Sequence, residues 1–186
     1  MDNFNKVIQT MLDNQREEIM VDLVYLVVAS VILVIVRRII QEIIIRLTNK
    51  KIRDSVYNGS FIYFEDFERN WIVHKRGRKG VSGYKYQDEP GCYVILIFPH
   101  KVTDGNFKNY RDVYIGQSIN ICKRVHSHFT GKGNGNVYAD IRYGKEVYVQ
   151  LVPCHKQNMN SKEKRLINAF NATQSYNMTR GGSRRY

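Results

Sequence analysis

The spacing of hydrophobic residues changes character along the chain. Residues 2–53 contain neither proline nor glycine and predict one long helix. Within it Leu23 to Val36 carries no charge, and Asp22 is the only charged residue from Ile19 to Val36. A helix apolar on every side belongs in lipid or deep inside a protein. The uncharged run covers about 21 Å at ~1.5 Å per residue, against a hydrocarbon core of about 30 Å. Extending it to Ile19, with Arg37 and Arg38 snorkelling to the headgroups, nearly closes the gap. The expectation is a membrane span over about residues 19–38. The competing pattern is a coiled coil, because Leu12, Ile19, Leu26, Leu33, Ile40 and Leu47 fall seven apart. That arrangement would leave Val24, Val27, Val28, Val31, Ile32 and Val34 facing water, at about 25 cal/mol per Å².

Behind this helix the rhythm shortens. The aromatic-rich stretch from Ser55 to Lys75 predicts one or two short elements packed on the C-terminal domain, and the glycines and bases from His74 to Lys85 predict a loop. Cys92 to Phe98 is a continuous apolar run, the mark of a buried strand. Pro99 to Asn109 reads as loop, and Asp112 to Gly116 as a second strand able to pair antiparallel with the first. Ser118 offers an N-cap to a helix over Ile119 to Phe129, whose apolar stripe is Ile121, Val125 and Phe129. Gly131 to Asn136 breaks that helix, and the chain then leads into a third strand from Lys145 to Pro153. Asn160 begins a final helix with Leu166, Ile167 and Phe170 as its stripe. The layout is a helix over residues 1–54, a linking and packing segment over 55–88, a domain over 89–182 and a tail over 183–186.

Charge sharpens this division. Residues 91–186 hold fifteen Lys and Arg against five Asp and Glu, whereas residues 1–54 hold eight against seven. The excess thus belongs to the C-terminal half, which holds +10 of the net +12, and it points to a polyanionic partner, nucleic acid or an anionic membrane surface. Around the apolar run the bases are also uneven. Arg37, Arg38, Arg46, Lys50, Lys51 and Arg53 come after it, and only Lys6 and Arg16 precede it. Positive-inside logic then puts the C-terminal domain in the cytoplasm of a single-pass protein. A coiled coil would instead make the chain a soluble cytoplasmic protein. Cys92, Cys122 and Cys154 lack zinc spacing and fit a reducing compartment. No secretory signal is expected, since the N-terminus has no basic region ahead of the apolar stretch.

Chemistry enters in the strands. Tyr93 shares a strand face with Ile95 and Ile97, and Tyr114 shares one with Gly116, so pairing would bring two phenols together. Arg124 and His128 lie one helical turn apart. Phosphodiester cleavage needs an activated water, a countercharge for the transition state and help for the leaving oxygen. Glu163 can add the oxygen ligand for a hard cation. Taken singly, each residue has a plainer role: strand tyrosines, a solvated arginine, a surface histidine beside His126, a cap formed by Asn160 and Glu163, a turn residue at Asn177. Their joint order points to one cause.

Gly91-Cys92-Tyr93 and Tyr114-Ile115-Gly116, with Gln117-Ser118, Arg124, His128, Glu163, Tyr176-Asn177 and Gly181-Gly182 after them, resemble the signature of the GIY-YIG nucleases. Cys92 departs from it, standing where the family name has isoleucine, and so does the long loop between the first two strands. The resemblance implies an α+β domain with a three-stranded antiparallel sheet flanked by helices. It implies an endonuclease of DNA using one Mg²⁺ or Mn²⁺ held by Glu163. Tyr93 or His128 would deprotonate or orient the attacking water, Tyr114 would hold the water or the phosphate, Arg124 would neutralise developing charge, and Asn177 would brace the site. Lys123, Lys132 and Arg142 are the bases expected to meet DNA phosphates. The absence of a recognisable DNA-reading module suggests low sequence preference or a protein partner that supplies specificity. The alternatives are a binding module of the same fold that does not cut, and a membrane-associated interaction protein.

Overall fold

The computed structural model of the chain describes residues 2–75, 88–178 and 181. Of the basic stretch expected as a loop, His74 and Lys75 end a helix, while residues 76–85 and the tail over 183–186 lie outside the described residues. The elements run in the order α1 (Asp2–Tyr57), β1 (Ile62–Tyr63), α2 (Phe64–Lys75), β2 (Gly91–Phe98), β3 (Asp112–Ser118), α3 (Ile121–Phe129), α4 (Gly135–Arg142), β4 (Glu146–Pro153) and α5 (Met159–Phe170). They divide into two units, Met1–Leu47 and Thr48–Tyr186.

The first unit is helical throughout its described length. Its apolar side chains from Met20 to Leu47 are solvent-exposed on every side of the helix, Val28, Val31 and Ile32 as well as Leu26 and Leu33. From Met20 onward α1 is long and apolar enough to cross a membrane, and none of its most apolar stretch is buried within the protein.

The second unit is built on a sheet in the order β1-β4-β2-β3, antiparallel throughout. The sheet therefore has four strands where the resemblance implied three. The extra strand is the two-residue β1, with Ile62 opposite Val149 and Tyr63 opposite Tyr148 on the outer side of β4. Two residues are too few to show a period, which is why the sequence marks them only as packing.

Strand β2 lies between β3 and β4, and all eight of its residues are buried. Its alternation sorts the core into two halves. Cys92, Val94, Leu96 and Phe98 pack with Leu166, Ile167 and Phe170 of α5 and with Val56 of α1. Tyr93, Ile95 and Ile97 pack with Ile121, Val125 and Phe129 of α3, Phe67 and Trp71 of α2, and Val137 of α4. The end of α1 is thus part of this unit, and Arg53 Nη1 donates to the carbonyl of Ala169 at 2.5 Å. The loop between β2 and β3 leaves from Phe98, the opposite end of β2 from Tyr93, and it stacks Phe107 on Phe61.

Three local features differ from the expected pattern. Ser118 ends β3, and α3 is capped from a distance: Asp88 Oδ1 accepts from the backbone N–H groups of Cys122 (3.0 Å) and Lys123 (3.3 Å). The stretch expected to lead into the third strand contains α4, whose N-cap Asn134 accepts from the N–H groups of Asn136 and Val137. That cap is the signal for so short a helix. Asn160 lies inside α5, one residue past its start. Between α2 and α3, Glu68 Oε2 meets His126 Nδ1 at 2.7 Å. Burial raises the Glu68 carboxyl, and His126 opposes the rise. His126 is accordingly half-buried against α2, and the packing segment grips the helix that carries Arg124 and His128.

Candidate active site

The strand register brings the two tyrosines together. Tyr93 of β2 stands opposite Gly116 of β3, and Ile95 stands opposite Tyr114, so the phenols are diagonal neighbours with ring centres 6.3 Å apart. The Tyr93 ring lies over Gly116. A Cβ at that position would come within 2.2 Å of Tyr93 Oη, so only glycine leaves the ring its place.

Helix α3 lays His128 against both rings. Its Nε2 is 2.8 Å from Tyr93 Oη, and its ring meets that of Tyr114 edge-on at 4.9 Å. Tyr93 and His128 are almost wholly buried. The other ring nitrogen of His128, Nδ1, accepts the backbone N–H of Asn134 at 2.6 Å. That close approach again needs a glycine, because a Cβ at Gly133 would lie 2.3 Å from Nδ1. One helical turn before His128, the half-buried Arg124 acts on the same phenol. Burial pushes the Tyr93 phenol well above its usual value and the neighbouring Tyr114 adds to this, while the Arg124 guanidinium pulls it back. The carboxylate of Glu163 also raises it, so that group lies within electrostatic reach.

Glu163 reaches the cluster from α5. Its Oε2 accepts from Gln117 Nε2 at 2.9 Å, and the same amide donates to Asn160 Oδ1 at 2.6 Å. Gly181, at φ +74, closes over the carboxylate, where a Cβ would stand 3.2 Å from Oε2. Asn160 thus serves Gln117 instead of capping α5. The sequence marks Gln117 only as the residue after Gly116; its position on the strand is the signal that could have given it a role.

Asn177 does its work on the backbone. Its Oδ1 accepts from the N–H of Ile115 at 2.9 Å, and its Nδ2 donates to the carbonyl of the same residue at 2.7 Å. Next to it, Val113 N–H donates to Ser175 Oγ, and the Tyr176 N–H donates to the carbonyl of Val113. Residues 175–177 therefore pair along the outer edge of β3. Both ends of its amide are engaged with one residue of β3, so Asn177 pairs with that strand as a further backbone segment would. A further network has no counterpart in the sequence pattern. Arg111 bridges Asp112 and Asp140 at 2.5 and 2.7 Å, and Tyr176 Oη donates to Asp140 Oδ2 at 2.5 Å. It ties the start of β3 to α4 and to the C-terminal stretch.

Of the residues singled out in the sequence, Tyr93, Tyr114, Arg124, His128 and Glu163 converge at the Tyr93 end of the sheet. Lys123, Lys132 and Arg142 lie on α3, on the turn after it and at the end of α4. Residues 90–177 match the family model for the GIY-YIG catalytic domain. No curated protein and no solved structure matches the chain. Strands β2, β3 and β4 and the signature residues from Gly91 to Asn177 fall within that match, and the C-terminal unit belongs to the GIY-YIG nuclease superfamily.

Proposed function

We propose that the protein is a metal-dependent endonuclease that hydrolyses DNA phosphodiester bonds at this cluster, tethered to a membrane by α1. The observation that carries the reading is the convergence of two phenols, a guanidinium, an imidazole and one carboxylate around Tyr93. The residues fit a hard cation. Glu163 offers a half-buried carboxylate, and the amide oxygen of Asn160 shares its hydrogen-bond donor. Among the described residues no group of three or more His, Cys, Asp and Glu could cage an ion. Such a donor set suits Mg²⁺ or Mn²⁺, which keep most of their waters. When bound, the ion supplies countercharge to a phosphoryl oxygen and acidifies a coordinated water.

Arg124 neutralises charge developing on the phosphorane, and Tyr114 orients the phosphate or the water. Tyr93, with His128 hydrogen-bonded beside it, handles the attacking water, and the products carry a 5′-phosphate and a 3′-hydroxyl. Lys123, Lys132 and Arg142 contribute sequence-independent attraction to the DNA backbone. The test is cleavage of plasmid DNA by the full chain with Mg²⁺ or Mn²⁺. Arg124→Ala is expected to lower kcat by about 10²–10³, and Glu163→Ala to abolish turnover. Equal cleavage by wild type and Glu163→Ala would end this reading, and binding without cleavage would make the domain a nucleic-acid-binding module.

Tethering rests on the exposed apolar stretch of α1 and on the bases that come after it, which favour a cytoplasmic nuclease domain. Removing residues 1–47 is expected to release the protein from the membrane fraction, and a truncated chain that still pellets with membranes would refute the anchor.

A further inference from the structure

We infer that His128 serves the site as a fixed hydrogen-bond donor to the Tyr93 oxygen, in a tautomer set by the backbone N–H of Asn134. The geometry leaves no other assignment. An N–H at 2.6 Å from Nδ1 requires a lone pair there, since a proton on Nδ1 would face the proton of Asn134. A neutral imidazole with a bare Nδ1 carries its proton on Nε2. That proton points at Tyr93 Oη, 2.8 Å away. Both nitrogens are thereby committed, and neither can take a proton from Tyr93 or from water.

The consequence for Tyr93 is specific. Its oxygen accepts from His128, so its own O–H is not spent on that imidazole. When that proton leaves, the oxyanion keeps the His128 donor, in a hydrogen bond that strengthens as the acceptor becomes charged. His128 therefore stabilises the phenolate without accepting its proton. Asn134 and Gly133 are positioning residues: one supplies the N–H, and the other lets the backbone approach His128 closely enough to use it. The assignment rests on the same site as the nuclease reading, yet the tautomer can be measured without any cleavage.

The experiment uses the full chain in mild detergent, labelled with ¹⁵N-histidine, with long-range ¹H–¹⁵N spectra recorded at about pH 7.5, where an unperturbed imidazole is largely neutral. The chain has five histidines, and His128→Gln identifies the resonance of interest by its loss. The expected pattern is an unprotonated Nδ1 and a protonated Nε2, and a protonated Nδ1 would overturn the inference. Asn134→Pro removes the N–H in a backbone already at φ −77, which proline adopts. Asn134→Ala loses the same side-chain cap but retains the N–H. The alanine variant is expected to keep the wild-type tautomer and the proline variant to lose it, and identical spectra would exclude the N–H as the cause. Gly133→Ala, whose methyl would press on Nδ1, is expected to alter the spectrum as the proline does.

Cleavage supplies a second arm. A glutamine amide can still donate to Tyr93, so His128→Gln is expected to retain at least about tenfold more activity than His128→Ala. Equal loss in the two variants would overturn the donor role. Absence of cleavage in the wild type would fail the nuclease reading, and the spectra would then decide the tautomer alone.

Discussion

Replacing Gly116 with alanine would put a methyl carbon 2.2 Å from Tyr93 Oη and 2.5 Å from its Cζ. Ordinary contact between carbon and oxygen lies near ~3.5 Å, so the phenol tip has to retreat by roughly 1 Å. It has little room, because Tyr93 is 1% exposed and His128, on its other side, is 0% exposed. Overpacking a filled core by one methyl costs about 1–3 kcal/mol. At about 4 °C per kcal/mol for a unit of this size, the melting temperature falls by about 4–12 °C. The functional effect should be larger, since a misplacement of about 1 Å at a reacting group costs on the order of 10²-fold in rate. The assay pairs a thermal melt with kcat/KM on a plasmid or oligonucleotide duplex, and adds a DNA-binding titration. Gly116→Ala should lose rate with DNA affinity retained. Combined with Tyr93→Phe, it should cost less than the two separate losses added together, because both act on one oxygen. A Gly116→Ala protein with wild-type kcat/KM would refute the claim that this glycine exists to seat the phenol.

The same geometry predicts four other outcomes. The phenol of Tyr93 is held above its usual value, mainly by burial, so at neutral pH it keeps its proton. If its oxygen is the base, log kcat/KM should climb by about one unit per pH unit from about pH 6 to 9, and a plateau near neutrality would exclude it. Burial pushes the thiols of Cys92 and Cys122 up to about 12. Their thiolate fraction at about pH 8 is then about 10⁻⁴, against roughly a quarter for a free cysteine; mass spectrometry after iodoacetamide should find both unmodified in the folded chain, and ready labelling of either would contradict the buried assignment. Removing residues 1–47 should preserve a cooperative melt, whereas removing residues 1–57 deletes Val56 and the Arg53 contact to Ala169 and should cost about 3–5 kcal/mol; equal melting of the two would show that the end of α1 is dispensable. Asp140→Asn weakens the acceptor for both Arg111 and Tyr176 and is expected to cost about 1–3 kcal/mol by denaturant titration, with no change if the network is ornamental.

The parts of the fold legible in the sequence, and the parts hidden there, differ for physical reasons. Strand β2 is plain because a central strand covered on both faces must be apolar at every position, and its alternation puts Tyr93 with Ile95 and Ile97. The pairing of Tyr93 and Tyr114 is implicit in the strand order. Strand β1 is hidden because two residues carry no period, and α4 because its eight residues show a cap at Asn134 and little else. Asp88, Gln117 and the Asn134 N–H are hidden for a different reason. Each acts on a residue distant in the chain or through the backbone, and neither kind of contact leaves a mark in side-chain spacing. The departure at Cys92 is also explained. Its side chain faces the α5 half of the core, with Sγ toward the Met159 carbonyl, on the other side of the sheet from the phenol of Tyr93. Any compact apolar residue serves there.

The pairing of residues 175–177 along β3 reaches beyond the site. An open sheet ordinarily invites strand addition at its margins, and proteins protect those margins against fibre growth. Here one margin is the two-residue β1, too short to template a partner, and the other is sheathed by Ser175, Tyr176 and the amide of Asn177, which occupies both hydrogen-bonding groups of Ile115. Replacing Asn177 with alanine would bare both backbone groups of Ile115, and such a chain is expected to aggregate on storage faster than the wild type, as light scattering would register.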